Sequence, residues 1–303
     1  MSAGAPCDAQ AEPGPVVFIL GAGVVGTALA ERLARAGVRV AGVPARSGEL
    51  PAALSAADAV IIAVRDDRIA EVAQRLAREQ RLRREQVLLH TSGAHASGEV
   101  LAAARPHVRG IGTWHPLVSL ADPRAAAEAL DGVAFGIEGD EPARAMASGL
   151  AHALGARPIF VDGDSMPLYH AGAVIAANYM VALAGAARAL LVAAGVSPDQ
   201  ALPALIPLMS SVVHNLSQLG LPGALTGPVA RGDVSSVEQH LRMLAQRAPE
   251  TLDLYRRLGR DVLRLAQQKS ALEPAAVARL EALLRDAPEG AVKDPAETPM
   301  KNR

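Results

Sequence analysis

Lysine is almost missing from this chain of 303 residues: it stands only at Lys269, Lys293 and Lys301, and arginine supplies every other basic side chain. The lysine-free stretch of 268 residues excludes a phosphate-binding Gly-Lys-Ser/Thr loop and a Schiff-base or general-base lysine anywhere within it. Cysteine is scarcer still. The single Cys7 permits neither a disulfide framework nor a thiolate metal site, which fits a reducing cytoplasm. An excess of charge is absent too, with 30 basic against 31 acidic residues and an isoelectric point near 6.7. No global field therefore draws nucleic acid or an anionic membrane to the surface.

The first fifteen residues lack the basic start and apolar run of a secretory signal and are expected to form a disordered lead. The longest apolar stretch, residues 171–187, is rich in Ala and Gly, contains Asn178, and falls short of the ~20 residues that a bilayer span requires. It is expected to be a buried helix, with the protein making no membrane contact.

The length suffices for two domains of ordinary size. Short β-rich runs occur at 16–20, 38–43, 59–64, 87–90, 108–113 and 133–137, with helical patterns at 24–36, 69–84 and 142–154 and a last strand at 157–161. This alternation predicts an α/β fold built on a doubly wound, mostly parallel sheet. Strand signals stop after residue 164. Ala/Leu-rich helical patterns then cover 167–194, 199–218, 234–246, 249–267 and 274–284. The expected organisation is a lead (1–15), a nucleotide-binding domain (16–164), an all-α substrate and dimerisation domain (165–285) and a polar, disordered tail (286–303).

The run Val16 to Leu20 is followed by Gly21-Ala22-Gly23-Val24-Val25-Gly26, which places strand, glycine turn and helix in the order of a dinucleotide fingerprint. Gly21 suits a tight turn, Gly23 lets a pyrophosphate approach the backbone, and Gly26 lets the helix lie against the strand. About 20 residues past such glycines an acid would take the ribose hydroxyls of NAD. The chain instead has Arg46 and Ser47 there, with no acid before Glu49, so NADP is the expected cofactor ahead of NAD. Val64 and Arg65, after the third strand, are expected beside the adenine or ribose, and Asp66 or Asp67 as caps of the next helix.

Ligands of open α/β sheets bind beyond the carboxyl ends of the strands, which directs attention to two segments. One is His90-Thr91-Ser92-Gly93-Ala94-His95, where Ser92 could bind a substrate oxygen or cap a helix at 96–104. The other is Trp114-His115-Pro116, in which the proline holds His115 extended and its imidazole could donate a proton or simply bond within the loop. His90 and His95 are five residues apart with no acidic cluster, so no metal site is expected. Further on, His170 and Asn178 are isolated polar residues on an apolar helix, separated by about 80° around its axis, and could face one cleft. Arg231, in Thr226-Gly227-Pro228-Val229-Ala230-Arg231-Gly232-Asp233, could clamp a carboxylate near a helix start. Ser235 and Glu238 spell a capping box there.

Together the fingerprint, His-Thr-Ser-Gly, Trp-His-Pro-Leu, Leu-Tyr-His-Ala with Ala-Asn-Tyr, and Thr-Gly-Pro-Val-Ala-Arg-Gly-Asp resemble one bacterial family over residues 16–285. It consists of Rossmann-like proteins with a C-terminal helical domain of unknown function, near pyrroline-5-carboxylate reductase, ketopantoate reductase and the β-hydroxyacid dehydrogenases. The resemblance implies a homodimer and an NADP-dependent reductase of a small carbonyl- or imine-containing acid, such as ketopantoate, acting in an interdomain cleft. His170 or His115 would give the proton, Asn178 and Ser92 would orient the substrate, and Arg231 would hold its carboxylate. One departure stands against it. Hydroxyacid dehydrogenases of this group place a lysine four residues before the asparagine, where this chain has Val174, and relatives place one where it has Met166-Pro167. A non-catalytic NADP-binding sensor is the alternative, and a deazaflavin-dependent NADP reductase a third reading.

Overall fold

The computed structural model describes residues 14–42 and 50–285. The chain divides into two compact units, one ending at Tyr179 and the other beginning at Met180. In the first unit, β1 (Val16–Leu20), α1 (Val24–Arg35), β2 (Arg39–Gly42), β3 (Ala59–Ile62), α2 (Asp66–Arg78), β4 (Val87–His90) and the single turn α3 (Ser97–Val100) come in order. They are followed by β5 (Gly110–Pro116), β6 (Ala134–Gly139), α4 (Glu141–Ala153), β7 (Arg157–Phe160) and α5 (Met166–Ala176). The seven strands lie in the order β2-β1-β3-β4-β5-β6-β7, all parallel except the β5–β6 pair. This is a doubly wound α/β sheet of the Rossmann kind.

Alternation along the strands explains the two cores. Val17, Ile19 and Ile61 face a cluster with Leu29, Leu33, Trp114, Phe135 and Leu150, whereas Phe18, Val60 and Ile62 face Leu54, Ile69, Leu76 and Leu101. Burial on both faces is why β3 and β4 read as unbroken apolar runs. Each buried Leu, Ile or Phe contributes about 1.5–3 kcal/mol against exposure.

Several expectations need correction. The helix foreseen at 96–104 is only α3, and β5 runs on to Pro116, so His115 lies within the strand. Antiparallel pairing with β6, which sets His115 opposite Gly136, extends the strand that far. Asp66 and Asp67 open α2 without capping it, and Asp67 pairs instead with Arg65. As first-turn acids they still favour the positive end of the helix.

The second unit contains α6 (Asn178–Ala193, entered from the first unit), α7 (Pro198–Gly223), α8 (Val234–Arg247), α9 (Leu252–Lys269) and α10 (Pro274–Leu283). Its core gathers Val229, Val237, Leu241, Leu263, Leu280 and Leu284. Asp233 caps α8 by accepting the Ser236 N–H at 3.1 Å, whereas Glu238 pairs with Arg279, so the capping box is not formed. The helix foreseen at 167–194 breaks at Ala177 (φ −107°, ψ −68°) into α5 and α6. Nor is it buried: Ile175 is 62% and Val181 73% exposed, and Leu208 of α7 is 60% exposed. By length and composition the helical stretch Gly163–Ala193 could cross a membrane, and none of its apolar window is covered. Inferring burial from an apolar pattern assumes that the same chain supplies the covering surface.

Candidate active site

The glycine turn lies where β1 and β3 end side by side, at the point where the chain switches direction across the sheet. Gly21 has φ +137°, and a Cβ there would lie 2.1 Å from the Ala63 carbonyl oxygen. A Cβ on Gly26 would lie 1.9 Å from the Gly21 carbonyl oxygen, so both positions demand glycine. Gly23 has open space around it. It begins α1 with no side-chain cap and no acid in the first turn, leaving the amides of Val24, Val25 and Gly26 for an anion. The turn from Gly21 through Ala22 to Gly26 therefore fits a dinucleotide pyrophosphate. Val64 is partly buried and Arg65 exposed at the adjoining strand end, with Arg65 tied to Asp67. Arg46 and Ser47 lie outside the described residues.

A buried polar chain crosses the neighbouring strand ends. His90 is fully buried, and its Nδ1 accepts the Ser92 N–H at 3.2 Å. Nε2 therefore carries the ring proton and donates it to Thr113 Oγ1 at 3.0 Å, whose hydroxyl donates in turn to Glu138 at 2.9 Å. Glu138 also accepts from the Ser97 N–H and hydroxyl. Burial pushes the His90 imidazole down to about 3, keeping it neutral. The segment 90–93 is thereby fixed in place. Ser92 is buried with its Oγ accepting the Ala94 N–H at 3.1 Å, so its hydroxyl serves the turn.

At the end of β5, His115, Ile159, Tyr169, His170 and Asn178 line a cavity of about 630 Å³ within the first unit. Strand alternation sends the fully buried Trp114 into the core against Phe135 (ring centroids 4.5 Å apart) and turns His115 to the cavity side. His115 Nδ1 lies 2.9 Å from the Tyr169 hydroxyl. The rings of His115 and His170 meet edge to face with centroids 6.1 Å apart. His170 Nδ1 is buried and has no hydrogen-bond partner among the described residues. Burial, and secondarily the neighbouring His170, holds His115 down at about 4, so its imidazole is neutral near pH 7. Burial also raises the Tyr169 phenol to about 12, opposed by the Gly136 backbone.

The structure thus brings His115, His170 and Asn178 to one cavity, although the last two occupy different helices. Arg231 belongs to the second unit, where it is exposed at the end of a tight turn before left-handed Gly232 (φ +69°). Lys269, the one lysine among the described residues, bonds the carbonyls of Gly223 and Leu225 at 2.9 and 2.7 Å, an arrangement that closes the end of α7. Three residues went unread in the sequence. Tyr169 is the main one; Gly136 is another, since a Cβ there would lie 2.4 Å from the Tyr169 hydroxyl. Gly93 is the third, because a Cβ would lie 2.8 Å from the His115 ring. The signals for Tyr169 were its adjacency to His170 and its place in the Leu-Tyr-His-Ala motif.

Residues 133–262 match the family model of a domain of unknown function (DUF2520). Among solved structures, a Thermotoga maritima protein is 24% identical, with a TM-score of 0.68 over 84% of this chain and 99% of its own. A Bacteroides fragilis protein, provisionally assigned as an NADP oxidoreductase, is 24% identical with a TM-score of 0.63, covering 82% of this chain and 98% of its own. Plasmodium falciparum pyrroline carboxylate reductase, solved with NADP bound, is 12% identical with a TM-score of 0.55, over 90% and 99% of the two chains. No curated protein matches the chain. The match over residues 133–262 and the Rossmann-like fold agree with what the resemblance implied.

Proposed function

We propose that the protein is an NADP-dependent reductase of a small acid containing a carbonyl or imine, with a 2-oxo acid such as ketopantoate as the specific candidate. The observation that carries this reading is the unpartnered, buried Nδ1 of His170 beside the His115–Tyr169 pair in a cavity of about 630 Å³. Buried polar atoms normally find partners, and a substrate oxygen or nitrogen would complete this one. When bound, the dihydronicotinamide supplies the hydride. The glycine turn holds the pyrophosphate, Asn178 and His170 orient the polar end of the substrate, and the His115, Tyr169 and His170 cluster supplies the proton. Cofactor preference rests on Arg46 and Ser47, whose side chains suit a 2′-phosphate. Lack of a cleft lysine leaves imidazole or phenol for proton transfer.

The test is NADPH consumption with ketopantoate, pyrroline carboxylate and related 2-oxo acids. Turnover should fall at least about tenfold in His115→Ala and in His170→Ala, and NADPH should bind at least about tenfold tighter than NADH by calorimetry. NADPH binding without consumption of any substrate would favour the non-catalytic sensor.

We also propose a cytoplasmic homodimer. Supporting it, α6 has one charged side chain, Arg188, and α7 none after Asp199, while Val181, Ile206, Leu208 and Leu219 are each at least half exposed. Sedimentation should give twice the 31.2 kDa chain mass, and Leu208→Glu should shift it toward the monomer. A monomeric wild type would overturn this.

A further inference from the structure

Two imidazoles and a phenol share the cavity, and the reductase reading leaves open which of them gives up the proton. We propose that Tyr169 is the proton donor, with His115 and the Gly136 backbone holding its hydroxyl in place. The assignment rests on the reductase reading and names the residue that completes its chemistry.

The geometry converges on one oxygen. His115 and Gly136 are register partners on the antiparallel strands β5 and β6, and Tyr169 reaches both from α5. Its hydroxyl lies 2.9 Å from His115 Nδ1 and sits where a side chain at residue 136 would be, 2.4 Å from the Cβ position. His115 itself is set by Gly93, whose missing side chain would lie 2.8 Å from the ring. The fixed segment 90–93 therefore backs the imidazole, and the imidazole backs the phenol. His115 is the positioning residue, with Nδ1–H donated to the Tyr169 oxygen and stabilising it once it is negative.

The hydrogen-bonded alternative, His115, is chemically weaker. A general acid needs a proton it can lose, and His115, held down at about 4, offers no imidazolium near pH 7. A phenol raised to about 12 stays protonated in the resting protein. It is still far more acidic than an alcohol, so transfer to a nascent alkoxide runs downhill. In the step, the substrate carbon gains a hydride as the C=O π pair moves to oxygen. The Tyr169 O–H bond breaks while the product O–H bond forms. The phenolate left behind accepts the His115 Nδ1–H bond and is reprotonated by water.

Tyr169→Phe keeps the ring and removes only the hydroxyl. Turnover should fall about 100-fold or more, with NADPH affinity within about twofold of wild type and an unchanged melting midpoint. A second readout needs no nucleotide: the ring-carbon NMR signal of ¹³C-labelled Tyr169, identified by its loss in the variant, should shift when oxamate, an unreactive 2-oxo acid isostere, is added. Turnover in Tyr169→Phe within about threefold of an active wild type would overturn the donor assignment alone, as would a Tyr169 signal blind to oxamate. A wild type that consumes no NADPH with any acid in the panel would overturn the reductase reading and this assignment with it.

Discussion

The protein contains two His–Tyr pairs of nearly identical geometry. His115 and Tyr169 in the first unit meet at 2.9 Å with centroids 5.6 Å apart, and His240 and Tyr255 in the second meet at 2.8 Å with centroids 5.9 Å apart. Their surroundings differ. The first pair borders a cavity that also contains an imidazole nitrogen without a partner among the described residues and Asn178, beside the end of β5. The second lines an apolar cleft of about 530 Å³ among Leu190, Leu191, Met243 and Leu244, where Arg247 is the one charged neighbour among the described residues. A hydrogen bond between imidazole and phenol is thus no site by itself. Burial, a second polar group in need of a partner and the end of a strand make one.

The largest separation between the pairs should appear in paired hydroxyl deletions. Tyr169→Phe should lower turnover about 100-fold, whereas Tyr255→Phe should leave it within about twofold, as measured by steady-state NADPH consumption. Equal losses would erase the distinction.

A smaller effect is expected from crowding each unit by one methyl group. Gly136→Ala puts a Cβ 2.4 Å from the Tyr169 hydroxyl and should cost about tenfold in turnover by displacing it. Gly259→Ala puts one 2.6 Å from Leu284 in the second core and should cost about 1–3 kcal/mol of stability with turnover unchanged. Urea denaturation alongside kinetics separates the two outcomes.

The pH dependence sharpens the contrast further. His115 and His90 are depressed to about 4 and about 3, while in the unfolded chain each titrates near 6.5. Between those values the unfolded state binds more protons. Their contribution is therefore fully present above pH ~6.5 and is lost on acidification, at up to about 1.4 kcal/mol per pH unit for each histidine. Denaturation at several pH values should show a slope that His115→Asn reduces.

Much of the first unit could be read from the sequence because strand periodicity and the Gly21, Gly23, Gly26 spacing are local signals with single structural meanings. The cavity was half legible. His115 stood out before a proline at a strand end and His170 as a polar residue on an apolar helix, whereas Tyr169 entered only within the Leu-Tyr-His-Ala motif. Its role depends on the antiparallel register that sets Gly136 beside His115, a contact between distant segments that no local pattern encodes. The same limit explains the helices α6 and α7. Their apolar pattern implied burial, yet pattern alone does not say whether the covering surface belongs to the same chain. For Ser92 the sequence offered a ligand or a capping role, and in the structure its oxygen accepts the Ala94 N–H of its own turn.

The most direct test of the central claim follows deuterium from NADPH labelled at nicotinamide C4 into the products of a panel of 2-oxo and cyclic imino acids. The account predicts deuterium on the reduced carbon of at least one acid with wild-type protein, and transfer at least about tenfold slower with His170→Ala. NADPH that binds but passes deuterium to none of them would contradict it.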